Sequence, residues 1–95
     1  MRRAARIDSN QPEIVQALRD VGASVALTHQ LGGGFPDLVV GYRANNFLIE
    51  IKDGSKPPSK RQLTEDEKDF HAAWRGKIEI ANSVDEALYI IGAVR

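Results

Sequence analysis

Apolar and polar residues change their spacing several times along the chain, and each change marks an element. Ile14, Val15, Leu18 and Val21 recur at helical spacing over about Asn10 to Val21; Pro12 suits the first turn and Gly22 ends the run. Ser24 to His29 alternates with Val25 and Leu27 on one side and predicts a short strand, broken by Gly32-Gly33-Gly34. Asp37 to Tyr42 and Phe47 to Lys52 are β-rich runs joined by Arg43-Ala44-Asn45-Asn46, which has the chemistry of a tight hairpin turn. Both are apolar on both sides, as in strands covered on two faces.

Asp53 to Leu63 is polar and holds Pro57-Pro58, so it reads as an exposed loop. Thr64 can cap a second helix whose first turn is acidic and whose apolar stripe is Phe70, Ala73 and Trp74, with Gly76 as its stop. Lys77 to Ala81 predicts a strand through Ile78 and Ile80. Ser83 and Glu86 form a capping box opening a last helix with Val84, Ala87, Leu88 and Ile91 inward. The expected order is αβββαβα, an α/β sandwich with one central mixed sheet flanked by helices.

Ninety-five residues, 42% of them hydrophobic, suit a single domain over 1–95. A site would then lie on one sheet or at a contact between identical copies. The chain has no cysteine, which excludes disulfides, thiolate zinc sites and cysteine nucleophiles. No membrane span or signal-peptide core is visible, so a soluble cytoplasmic protein is expected. Thirteen basic and thirteen acidic residues cancel, and no global positive field advertises a nucleic-acid partner. Two local basic clusters remain: Arg2, Arg3 and Arg6, and Lys52, Lys56, Lys60 and Arg61. Solvated surface is their ordinary meaning.

The chemistry enters at the hairpin. Strand alternation puts Glu50 and Lys52 on one face with Leu48, and Ile49 and Ile51 on the other. Two charged groups in an apolar strand need each other, a metal ion or a polar substrate. Closing the hairpin symmetrically about Ala44-Asn45 pairs Tyr42 with Phe47, Val40 with Ile49, Val39 with Glu50 and Asp37 with Lys52. Asp37 then joins the Glu50 face, diagonal to Glu50 at about 7–8 Å between backbones. Two converging carboxylates resist joint ionisation unless a cation offsets their repulsion. Oxygen ligands alone, including the backbone carbonyl of Ile51, suit Mg²⁺ or Mn²⁺. Such an ion with a neighbouring lysine serves phosphodiester hydrolysis.

Gly34-Phe35-Pro36-Asp37-Leu38-Val39-Val40, then Glu50-Ile51-Lys52, then Leu63-Thr64 opening a helix resemble the PD-(D/E)xK nuclease superfamily, and more narrowly the small stand-alone VRR-NUC proteins of phages and prophages. With the first helix and the Val84-Asp85-Glu86-Ala87-Leu88 ending, the resemblance spans almost the whole chain. It implies a restriction-endonuclease-like fold and a Mg²⁺- or Mn²⁺-dependent endonuclease in a bacterial or phage-infected cell. Branched or structured DNA such as four-way junctions or flaps would be cut in replication, recombination or repair. A homodimer without an organic cofactor is implied.

By that resemblance Asp37 and Glu50 are metal ligands and Lys52 the catalytic lysine. Glu13 matches an acid that the family draws from its first helix; its alternative role is the acidic partner of a capping box with Asn10. Lys56, Lys60 and Arg61 are candidates for DNA phosphates. The family's glutamine in the helix after the lysine is replaced by Glu67 and Lys68, with Gln62 just before the helix as a substitute, and Ala81-Asn82-Ser83 stands where the family has a basic segment. His29, His71 and the glycine run receive no role, and Phe70 and Trp74 are assigned to packing. A catalytically silent DNA-binding or assembly module is the alternative from another class, and an RNA nuclease would share the same chemistry.

Overall fold

The computed structural model describes residues 7–93; Arg2, Arg3 and Arg6 lie outside the described residues. Along the chain run α1 (Gln11–Asp20), β1 (Ser24–Leu27), β2 (Leu38–Tyr42), β3 (Asn45–Ile51), α2 (Glu65–Ala73), β4 (Ile78–Ala81) and α3 (Val84–Ile91), with 3₁₀ turns at His29–Leu31 and Pro58–Lys60. The strands form one mixed sheet in the order β1-β2-β3-β4. β1, β2 and β3 are antiparallel neighbours and β4 lies parallel to β3. No helix among the described residues is long and apolar enough to cross a membrane.

The core lies on one face of this sheet. Leu38, Val40, Ile49 and Ile51 are fully buried together with Ile14 and Leu18 of α1 and Ala87 and Ile91 of α3. The helical spacing of Ile14, Val15 and Leu18 explains why α1 presents these residues inward. Val21, expected in that stripe, instead ends the helix as its C-cap and is 38% exposed. Asn10 makes no capping bond. Its amide instead donates to the carbonyls of Lys52 and Asn82, tying the start of α1 to the ends of β3 and β4.

The hairpin register differs from the symmetric closure expected. Tyr42 faces Asn45, Gly41 faces Asn46, Val40 faces Phe47 and Leu38 faces Ile49. The cause is a turn of only two residues, Arg43 and Ala44, both in the left-handed region at φ 50° and 67°. This twist matches that of the flanking strands. The pairing therefore slips by two residues, which leaves every side chain on its expected face. One step beyond the last ladder pair, Asp37 stands opposite Glu50, where Lys52 was expected.

α2 also departs from expectation, since none of its residues is buried. Phe35 and Phe70 meet edge to face at 5.3 Å, and Trp74 stacks on Phe70 at the same centroid distance. This aromatic cluster, rather than the main core, holds the helix. Gly34 allows the close approach: its φ is +82°, and a Cβ there would run into the Asp66 carbonyl. The helix start is a complete capping box, with Thr64 Oγ1 accepting from Glu67 N–H and Glu67 Oε1 accepting from Thr64 N–H. In α3 only half of the expected box forms. Ser83 accepts from Glu86 N–H, while Glu86 Oε1 reaches back to Asn82.

Candidate active site

Opposite the core face, the C-terminal end of β3 and the residue entering β2 bring three charged side chains together. Glu50 is 1% exposed and Lys52 8%. Asp37 Oδ2 accepts the Ile51 N–H at 2.8 Å, and the Asp37 carbonyl accepts the Thr28 N–H. These bonds fix the Asp37 carboxylate at the strand end beside Glu50. Lys52 continues the parallel ladder by donating its N–H to the Ala81 carbonyl, which holds its side chain on the Glu50 face.

A fourth charged residue completes the group. Lys52 Nζ donates to Glu67 Oε1 at 2.7 Å and lies 3.9 Å from Glu50 Oε2. The Glu67 oxygen that closes the α2 capping box thus also anchors the lysine. The sequence marked Glu67 only as standing where the resembled family has a glutamine, and a Thr-x-x-Glu pattern at a helix start is otherwise explained by capping alone.

Electrostatics set these groups apart. Burial, then the charge and hydrogen bond of Asp37, then Glu67, push the Glu50 carboxyl up to about 10 from 4.5. Asp37 is raised too, chiefly by burial, against the lowering effect of its bond from Ile51 N–H. For Glu67, burial acts upward, but the Lys52 and Thr64 bonds outweigh it and hold its carboxyl low. The Lys52 ammonium is desolvated, yet Glu67 and Glu50 raise its pKa. At neutral pH Glu50 therefore keeps a proton. Its Oε1 is buried without a hydrogen-bond partner.

The group opens into a cleft of about 640 Å³ between the glycine-run loop and the start of α2. Asp8, Asp37, Glu50, Asp66 and Glu67 line it against Lys52 and Lys56. Such a wall repels a phosphate unless a cation intervenes. Asp8 precedes α1 and adds to the field at Lys52. His29 also lines the cleft, and Gln11, 3% exposed, points its amide nitrogen at His29 Nδ1 at 3.4 Å. Asp8, Gln11 and His29 carried no sequence signal, since none belongs to a spaced motif.

Other sequence candidates lie apart. Glu13 is exposed and lines a second cleft with Asp53, Arg61 and Asn82. It neither joins Asp37 and Glu50 nor receives a capping bond from Asn10. Lys60 is exposed on the 3₁₀ turn, Arg61 Nε donates to the Lys56 carbonyl, and the Gln62 amide donates to the Pro58 carbonyl. Of the loop cations only Lys56 borders the site cleft. Asp53, expected in an exposed loop, is 8% exposed and accepts from Ser55 and Ser9, bonds that lower its pKa.

Among the described residues no three His, Cys, Asp or Glu side chains are gathered closely enough to hold a metal ion by themselves. Asp37 and Glu50 do fit a hard cation in one respect: Glu50 Oε1 is an unpartnered buried oxygen beside a second carboxylate. No family model, curated protein or solved structure matches the chain.

Proposed function

We propose that the protein is a Mg²⁺- or Mn²⁺-dependent endonuclease that hydrolyses DNA phosphodiesters, with Asp37 and Glu50 as metal ligands and Lys52 as the catalytic lysine. The observation that carries the proposal is the buried, unpartnered Glu50 Oε1 beside Asp37, with the Lys52 ammonium 3.9 Å from the same carboxyl group. Burial and acidic neighbours hold the Glu50 carboxyl up to about 10, and a cation beside it and Asp37 would favour the carboxylate, the proton passing to solvent. The resemblance to PD-(D/E)xK nucleases supports the same assignment.

Asp37 and Glu50 would supply side-chain oxygens. The Ile51 carbonyl, on the residue whose N–H already meets Asp37, would be a further oxygen donor. Bound there, the ion would polarise the phosphoryl oxygen and lower the pKa of an attacking water. The protein's own contribution is positional. Glu67 holds the ammonium of Lys52 at the cleft wall, where it offsets charge that grows on the phosphate in the transition state. Lys56, with Lys60 and Arg61 farther along the same exposed loop, contributes cations to the DNA backbone.

The finer fold assignment, a restriction-endonuclease-like sandwich, belongs to this proposal. So do branched DNA as substrate, a homodimer, and a place in phage or prophage DNA metabolism in the cytoplasm. Incubation of labelled duplex, flap and four-way-junction DNA with Mg²⁺ or Mn²⁺ tests it: wild type cuts at least one substrate, EDTA stops cleavage, and Asp37→Ala abolishes it while the circular dichroism spectrum is unchanged. Absence of both cleavage and calorimetric metal binding would refute the reading.

A second reading, a silent DNA-binding module, draws on the 2.7 Å pair in which Glu67 engages Lys52. It requires DNA retention in EDTA with no nicking once metal is restored.

A further inference from the structure

Trp74 is the chain's only tryptophan and forms the C-cap of α2, where it is 43% exposed. Its indole is nonetheless held in place. Phe70 stacks against it with planes 18° apart and centroids at 5.3 Å, and Phe35 meets it edge-on at 6.4 Å. Gly76 passes so close that a Cβ there would lie 2.8 Å from the indole nitrogen. Phe70 covers one ring face and Gly76 approaches the five-membered ring, yet 43% of the residue stays open to solvent.

The surroundings say what this exposed ring suits. Phe35, which touches Trp74, also lines the acidic cleft, so the open indole lies one ring away from Asp37 and Glu50. Arg75 and Lys77 follow directly and are exposed. Lys77 pairs with Glu79 at 2.9 Å, whereas Arg75 makes no ion pair or hydrogen bond among the described residues. An exposed aromatic ring followed in the chain by an uncommitted guanidinium matches the two parts of a nucleotide, a flat base and an anionic phosphate.

We infer that the exposed part of the Trp74 ring, with Arg75 next in the chain, is a stacking platform for an unpaired nucleobase of the strand that enters the Asp37–Glu50–Lys52 cleft. The inference rests on the nuclease reading and adds a substrate contact to it. Every base has a π face, so the platform is indifferent to sequence. A base inside a duplex is already stacked on its neighbours, so the platform selects strands with tails, flaps or open junctions. The recognised chemistry is shared by DNA and RNA.

Because no other tryptophan contributes, intrinsic fluorescence reports the platform directly. Wild-type protein in EDTA is titrated with a blunt duplex, the same duplex carrying a single-stranded DNA tail, and one carrying the matched RNA tail. Binding is followed in parallel by anisotropy of a label on the nucleic acid. Saturable quenching by either tailed form and none by the blunt duplex is expected, the ratio of the two tails showing which sugar is preferred. Trp74→Ala is expected to weaken tailed binding about five- to one-hundred-fold, Trp74→Phe much less. Arg75→Ala is expected to reduce the salt slope by about one.

Tailed DNA bound with unchanged emission overturns the inference, as does a folded Trp74→Ala protein with wild-type affinity for the tail. A concentration-dependent emission shift without nucleic acid assigns the surface to a second copy and also overturns it. Should Trp74→Ala not fold, the wild-type titration and Trp74→Phe decide. Cleavage with an unresponsive Trp74 defeats this inference alone; absence of cleavage and of all nucleic-acid binding defeats the nuclease reading as well.

Discussion

On one face of the sheet Leu38, Val40, Ile49 and Ile51 are sealed under α1 and α3; on the other, one residue along the same strands, Asp37, Glu50 and Lys52 meet a helix with no buried residue. The first face is apolar contact throughout and contributes most of the stabilisation. The second holds carboxylates whose burial opposes their charge. It is kept together by a few directional devices: the Phe35–Phe70–Trp74 cluster, the Gly34 approach and the Glu67 bond to Lys52. One face keeps the sheet folded, and the other keeps ionisable groups close at a cost in stability.

The contrast is broken most severely at the core. Ile49→Ala, on a fully buried residue, is expected to cost about 2–5 kcal/mol in urea unfolding. A cost below 1 kcal/mol would show that this face is not the main source of stability. Next comes Gly34→Ala, which places a side chain in a left-handed position against the Asp66 carbonyl. About 1–3 kcal/mol of strain is expected, relieved by α2 lifting away. Trp74 emission should then change before the far-ultraviolet circular dichroism does; simultaneous loss of both signals would place α2 within the main core's cooperative unit.

The charged face should respond to pH with the opposite sign from an ordinary paired carboxylate. Below about pH 4.5 Glu50 is protonated folded or unfolded. Above it the unfolded chain releases this proton while the folded protein keeps it up to about 10, so stability falls as pH rises through that window. Asp37, also raised, acts in the same direction. Glu67 and Asp53, held low, instead lose their stabilisation as pH falls below the usual carboxylate range.

Metal-free protein should therefore melt at a lower temperature at pH 8.5 than at pH 6. Glu50→Gln should flatten the profile and raise the pH 8.5 melting temperature, by about 4–8 °C for each kcal/mol relieved. Mn²⁺ should raise it in wild type and not in Glu50→Gln. A Glu50→Gln protein less stable than wild type at pH 8.5 would show that the charged face is not the costly one. The smallest effect is expected from Thr64→Ala, about 1 kcal/mol, confined to α2 and read by amide exchange of its first turn.

Much of the fold was legible because it is written in local periods. The helical spacing of Ile14, Val15 and Leu18, the turn before β3 and the caps at Thr64 and Ser83 act within a few residues. The misreadings fell where distant segments decide. Asn10 exchanged its cap for carbonyls at Lys52 and Asn82. Glu13, matched to the site by order along the chain, lines a different cleft with Asp53 and Asn82. Trp74, assigned to packing by its spacing from Phe70, does pack on Phe70 and Phe35, though in a satellite cluster where it stays 43% exposed.

Alternation put Glu50 and Lys52 on one face and the hairpin closure added Asp37, and a period of two is why a two-residue slip of the hairpin left that conclusion standing. Only the tertiary structure decided that Asp37 opposes Glu50, that Glu67 from fifteen residues away takes hold of Lys52, and that α2 leaves the cleft open. Strand parity is a property of consecutive bonds, whereas the approach of α2 depends on Gly34 and Phe35 meeting it across the cleft.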